Sequence, residues 1–187
     1  MEVIDKNNEI GGDSSVPHRC IGNARRLMVP IGKTQYDVLR EAVQNHAPQC
    51  VIVDEVVKKE EANALADISK RGVKIVATIH ADKLEKVIDN YHLNVLTGGK
   101  RFETVSDRFF IDNDLKGKTI VKRAFEPSFD CVVELQSRRR WVVYLSLKKA
   151  VDHILESRWR KGLPKVSKEF RTYSEDGQMT LECLSRH

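Results

Sequence analysis

Cysteine is scarce and scattered, with four residues in 187, at positions 20, 50, 131 and 183. None forms a CxxC pair, so neither a zinc ribbon nor a dithiol redox motif is encoded, and a reducing compartment suits the chain. Cys50 and Cys131 lie in apolar runs and read as small core residues. No apolar run approaches the ~20 residues needed to span a bilayer. The opening Met1-Glu2-Val3-Ile4-Asp5 lacks the basic and apolar regions of a secretory signal, and it is not the Arg/Ser-rich start of a transit peptide. Aromatic residues make up only 6%. Internal repeats and low-complexity tracts are also missing. What is there is a globular composition, 41% hydrophobic and 32% charged, enough apolar material for a core.

The net charge of +5 is unevenly spread. Residues 1–136 hold 20 basic and 21 acidic groups, and residues 137–187 hold 12 basic and 6 acidic groups. The whole positive excess lies in the last quarter, which suggests an anionic partner for that region.

Periodicity gives an α/β chain. Glu2–Asp5 is a short strand, followed by a polar Gly-rich loop, and residues 26–29 form a second extended segment. Thr34 to His46 has helical spacing, with Thr34 as N-cap and Tyr36, Leu39 and Val43 on one face. Cys50-Val51-Ile52-Val53 is an unalternated apolar run, as expected for a strand buried on both faces of a parallel sheet, and Val73 to Ile79 reads as a second buried strand. Between them Lys58 to Arg71 is a helix ended by Gly72. Asp82 caps a helix to about Asn90, and residues 102–105 are a further strand. Strand and helix alternate through 1–105, the pattern of βαβ units. The pattern then changes to three β-rich runs at 118–125, 129–136 and 140–145, an antiparallel meander, followed by a helix over 146–160. The implied organisation is a core over 1–112, a meander and helix over 113–160, and a polar, flexible tail over 161–187.

Chemistry-bearing residues cluster at strand ends. Cys50-Val51-Ile52-Val53-Asp54-Glu55 has the Walker B form, in which Asp54 holds the Mg²⁺ shell and Glu55 polarises the attacking water. The alternative is a strand that simply ends in acids at solvent. Thr78-Ile79-His80 follows the next strand. His80 there either senses a γ-phosphate or is a polar tip satisfied locally. Arg25 and Arg26 are candidates for an arginine finger to a neighbouring subunit, or else a solvated basic patch. Arg138-Arg139-Arg140-Trp141 combines guanidinium groups with an aromatic, a set that binds nucleic acid or lies solvated in a hairpin turn. Gly32-Lys33-Thr34 and Gly117-Lys118-Thr119 lack the upstream glycine of a phosphate-binding loop, since Leu27 and Asp112 stand there.

Taken in order, Val3-Ile4-Asp5, Asn8-Glu9-Ile10-Gly11-Gly12-Asp13, Ala24-Arg25-Arg26-Leu27-Met28-Val29-Pro30, the Asp54-Glu55 strand, Ala77-Thr78-Ile79-His80 and Leu96-Thr97-Gly98-Gly99 resemble the family of the stage III sporulation ATPase AA and its cyanobacterial and plastid relatives. The resemblance runs from about residue 2 to about residue 158. It implies a partial RecA-like P-loop NTPase core, with a parallel sheet covered by helices on both faces, in a ring-forming ATPase similar to those of secretion systems. By that pattern Asp5 and Glu9 form an acidic box, Asp54 and Glu55 are Walker B, and His80 is a histidine box. Asp5 and Thr78 would then lie against Mg²⁺ and ATP, with Glu55, Glu9, His80, Arg25 and Arg26 in catalytic roles. Val57 stands where a glycine is usual, and Ile79 where a small residue is usual. Walker A is missing, so the chain is expected to be the C-terminal part of a longer ATPase, inactive alone. A ring of identical subunits or a P-loop-bearing partner chain would complete it. A non-catalytic protein that binds nucleic acid or a protein partner through its basic end is the alternative. Plastid and cytoplasm are both compatible with the resemblance.

Overall fold

The computed structural model describes residues 1–138, 140–163, 170–173 and 179–180. The chain divides into two compact units, Met1–His80 and Ala81–His187.

The first unit is a parallel sheet with its crossover helices. Strand β1 (Glu2–Asp5) is buried along its whole length. β2 (Arg25–Met28) leads into α1 (Gln35–His46), β3 (Cys50–Val53), α2 (Lys59–Lys70) and β4 (Lys74–Ala77). The strand order is β2-β1-β3-β4, all parallel, with Ile4 beside Leu27 on one side and Val53 on the other. Both crossovers, β2 to β3 and β3 to β4, step the same way along the sheet. Right-handed connections therefore put α1 and α2 on the same face, where they pack against each other. Helices on both faces were expected; the helices of this unit share one.

Local sequence explains the elements. Thr34 and Asp37 form a reciprocal capping box that starts α1. The buried face of α1 is Gln35, Val38, Leu39 and Ala42 rather than the expected Tyr36, Leu39 and Val43. Glu61 folds back to accept the backbone N–H groups of Val57 and Lys58, each at 3.0 Å, and so caps α2. Val3, Ile4, Leu39, Ala42, Val51, Val53, Ala62 and Leu65 are wholly buried and make the core. β4 was expected to be buried on both faces. It is an edge strand, and Val76 is 55% exposed.

In the second unit α3 (Leu84–Asp89) starts two residues later than Asp82, with Lys83 as its N-cap. β5 (Arg101–Thr104) does not extend the parallel sheet. After α4 (Asp107–Asp112), which the sequence did not suggest, it pairs antiparallel with β6 (Thr119–Lys122). The expected three-stranded meander is thereby split. β7 (Val132–Leu135) and β8 (Trp141–Tyr144) form the hairpin, and beyond α5 (Leu147–Trp159) β9 (Phe170–Tyr173) and β10 (Met179–Thr180) complete a sheet ordered β10-β9-β8-β7. β9 and β10 fall within the segment expected to be a flexible tail, most of which lies outside the described residues. The core here is Leu84, Ile88, Val142, Tyr144, Leu147, Val151, Ile154 and Leu155. Cys131, expected in a core, is exposed just before β7. Among the described residues no helix is long and apolar enough to cross a membrane.

Candidate functional site

The C-terminal ends of parallel strands are where ligands of α/β sheets bind. The end of β1 carries Asp5, the end of β3 is followed by Asp54 and Glu55, and the end of β4 by Thr78 and His80.

Asp54 is 8% exposed. Its N–H continues the ladder to the Ile4 carbonyl at 3.3 Å. Its own carbonyl accepts the Gln35 Nε2–H from the first turn of α1. Thr78 Oγ1 donates to Asp54 Oδ1 at 3.1 Å, whereas Asp54 Oδ2 is buried with no partner. Glu55 sits in the left-handed region at φ 45°, a conformation uncommon for a residue with a Cβ. Its N–H donates to Thr78 Oγ1 at 2.8 Å. Its carboxylate gathers the loop after β1: Asn7 Nδ2 donates to Oε2 at 3.0 Å and Lys6 Nζ lies 3.9 Å from it. His80 Nε2 is 3.8 Å from Glu55 Oε1, with its ring 86% exposed.

Asp5 is fully buried, and both its oxygens are engaged. Oδ1 accepts the Glu9 N–H at 3.0 Å, and Oδ2 accepts those of Ile10 at 3.2 Å and Gly11 at 2.6 Å. Asp5 thus ties down the loop after β1. Glu9 contributes its backbone to that tie, and its side chain is exposed. Arg26 holds the same loop from β2, donating to the carbonyls of Gly11, Gly12 and Ser14. Gly11 is required there, because a Cβ would come within 2.6 Å of Arg26 Cδ. Arg25 lies at the other end of the strands. It pairs in register with Glu2, its Nη1 is 3.8 Å from Glu2 Oε1, and three residue steps of about 3.3 Å separate Glu2 from Asp5.

The structure thus brings Asp54, Glu55, Thr78 and His80 together, uses Asp5, Glu9 and Arg26 to shape the adjoining loop, and leaves Arg25 apart. Sequence reasoning missed Lys6, Asn7, Asn8 and Gln35. The only sequence signal for Gln35 was its place directly after the Thr34 cap. Lys33 is paired with Glu41 at 2.9 Å and Thr34 is held by Asp37, so Gly32-Lys33-Thr34 serves the start of α1. Arg138 and Arg140 are exposed beside the β7–β8 turn, while Arg139 lies outside the described residues.

Among the described residues no group of three or more His, Cys, Asp or Glu forms a metal cage. A Mg²⁺ bound by one or two carboxylates, water and phosphate needs none. The partnerless Asp54 Oδ2 fits such an ion.

No family model matches the chain. It is 42% identical over 153 residues to Protein SEEDLING PLASTID DEVELOPMENT 1 of Arabidopsis thaliana, covering 82% of this chain and 22% of that protein. It is 36% identical over 183 residues to the uncharacterized protein ycf45 of Porphyra purpurea, covering 97% of this chain and 31% of the relative. Against the uncharacterized protein ycf45 of Cyanidium caldarium the identity is 32% over 179 residues, covering 96% of this chain and 51% of the relative. The chain therefore spans between about a fifth and about half of the length of these relatives. These names correct the resemblance drawn from the motifs: the relatives are plastid-related proteins, and nothing in them points to a sporulation ATPase or a P-loop protein. Of the two compartments expected from the sequence, the relatives speak for the plastid.

Proposed function

We propose that residues 1–80 supply the acidic, water-activating side of a Mg²⁺-dependent nucleoside triphosphate hydrolysis site. The observation that carries this reading is the pair Asp54-Glu55 at the end of a central parallel strand. One acid has a buried oxygen without a donor, and the next is turned to φ 45° with Asn7, Lys6 and His80 around its carboxylate.

A buried anionic oxygen without a partner is costly, and strained backbone concentrates at working sites. Both features make sense if Asp54 faces a hard cation and Glu55 faces substrate. When bound, Mg²⁺ would neutralise charge on the phosphates. Glu55 accepts a proton from the attacking water, and Asn7 holds its carboxylate in position. Thr78 fixes Asp54 and the Glu55 backbone together. His80, exposed beside Glu55, reaches the phosphate that leaves. We place the donors that cradle the phosphates outside residues 1–80, on another segment or on a neighbouring subunit in a ring. The plastid is the proposed location.

The test is phosphate release from ATP by the full-length protein with Mg²⁺. Glu55→Gln should lower turnover about a hundredfold or more, the usual scale for loss of a general base. Equal turnover in wild type and Glu55→Gln would overturn the reading.

A second reading, binding of nucleic acid by the second unit, is favoured by one observation. Trp141 is 44% exposed at the β7–β8 hairpin, next to exposed Arg138 and Arg140. Stacking on Trp141 and phosphate contacts by the arginines would make binding to single strands fall steeply with salt. Binding that is equally strong in Trp141→Ala and insensitive to salt would exclude it.

A further inference from the structure

Three side-chain oxygens in the segments that follow β1, β2 and β3 are buried without a hydrogen-bond partner: Asn8 Oδ1, Gln35 Oε1 and Asp54 Oδ2. Gln35 is 2% exposed and Asp54 8%. The Gln35 amide cannot simply be turned over, because its Nε2–H is committed to the Asp54 carbonyl, and exchange would set oxygen against oxygen. Its free acceptor therefore stays beside Asp54. Asn8 stands at φ 56° between two residues anchored at the site: Asn7, whose side chain is on Glu55, and Glu9, whose N–H is on Asp5.

We propose that Gln35 and Asn8 are protein ligands, with Asp54, of the divalent cation in the site, a step that rests on the hydrolytic reading above. If the three oxygens converge on one point, they exceed the two protons a single water can donate there, and one hard cation satisfies all three. An all-oxygen set selects Mg²⁺, Mn²⁺ or Ca²⁺ over zinc or copper. Two neutral amides and one carboxylate give a weakly charged site. The metal alone therefore binds loosely, and phosphate oxygens tighten it.

The test uses the full chain and Mn²⁺ alone, with binding read by electron paramagnetic resonance. Asn8→Asp adds a negative ligand at a backbone position that Asp tolerates, and it should tighten Mn²⁺ about tenfold. Asp54→Asn and Gln35→Met should each weaken it about tenfold. Gln35→Met also removes the donor to the Asp54 carbonyl and risks misfolding, so Asn8→Asp is the deciding variant. Unchanged Mn²⁺ affinity in Asn8→Asp, or no Mn²⁺ bound beyond that seen with Asp54→Asn, would overturn the proposal. Mn²⁺ binding that responds to Asn8→Asp in a protein that hydrolyses no ATP would uphold these ligands and overturn the hydrolytic reading. Hydrolysis that depends on Glu55 without any response at Asn8 or Gln35 would do the reverse.

Discussion

Thr78 and Asp54 meet at the ends of neighbouring parallel strands, with the Thr78 hydroxyl donating to Asp54 Oδ1 at 3.1 Å while Thr78 Oγ1 itself accepts the Glu55 N–H at 2.8 Å. One hydroxyl thus orders two consecutive acids. Thr78→Val keeps the shape and removes both bonds. It leaves an N–H and a carboxylate oxygen unpaired, and should destabilise the first unit by about 1–3 kcal/mol. Thr78→Ser should stay within about 1 kcal/mol of wild type. Urea unfolding followed by tryptophan-independent circular dichroism measures both.

Asp5 gives the second prediction. Three backbone N–H groups converge on its buried carboxylate. Removing it strands those donors, and bonds to a charged group are the strong kind. Asp5→Ala should destabilise the first unit by about 3 kcal/mol or more. A residue that served only to touch a ligand would show no such loss, so the same unfolding measurement separates the two roles.

The strands of the parallel sheet were the more legible part. Cys50-Val51-Ile52-Val53 announces a strand because nothing polar interrupts it, although only Val51 and Val53 are fully buried while Cys50 and Ile52 are half-buried, and Thr34 announces the start of a helix. The segment 73–79 reads as a second buried strand although Lys74 interrupts it, and Val76 is exposed at a sheet edge. Neighbours, not the run itself, decide which strand is central. Residues 102–105 were visible as a strand, but their partner, residues 119–122, could not be chosen from local sequence. At the site Asp54, Glu55 and His80 stood out by type and position. Gln35, Asn7 and Asn8 did not, because an uncharged amide carries its meaning only through what faces it. Arg26 read as an outward cation, and its real work of tying the Gly11–Ser14 loop depends on a turn that brings the two together.

Gly98 carries the third prediction. It stands at φ 96°, and its carbonyl accepts the N–H groups of Ala124 and Phe125 at 3.0 and 2.9 Å. A Cβ there would collide with the Phe125 carbonyl and the Arg123 side chain. Gly98→Ala therefore combines backbone strain with a clash against main chain, and should lower stability of the second unit by more than about 2 kcal/mol. Gly117→Ala, where a Cβ meets nothing within 4 Å, is the control and should change little.

A pH dependence follows from the clamp between α3 and α5. Arg158 grips Asp89 with Nη1 to Oδ1 at 2.7 Å and Nη2 to Oδ2 at 3.1 Å, and Lys100 adds a contact at 3.1 Å. The Arg158 hydrogen bond, opposed by partial burial and helped by Lys100, holds the Asp89 carboxyl below its ordinary 3.8. A carboxyl depressed in the folded state stabilises above its unfolded pKa, and that contribution disappears as pH falls. Asp89 is half exposed, so the effect should stay below about 1 kcal/mol. Urea midpoints should fall between pH 5 and 2.5 by slightly more in wild type than in Asp89→Asn. A larger fall in the variant would contradict the assignment.

The central claim is that Asp54 holds a metal and Glu55 activates water, and trapping of nucleotide by the full-length protein tests it most directly. Labelled ATP is incubated with Mg²⁺ and each variant, and the bound nucleotide is then identified. The account predicts that Glu55→Gln retains intact ATP without forming ADP, that Asp54→Asn retains none, and that wild type yields ADP. Equal ADP formation by all three, or no ATP retained by Glu55→Gln, would contradict it.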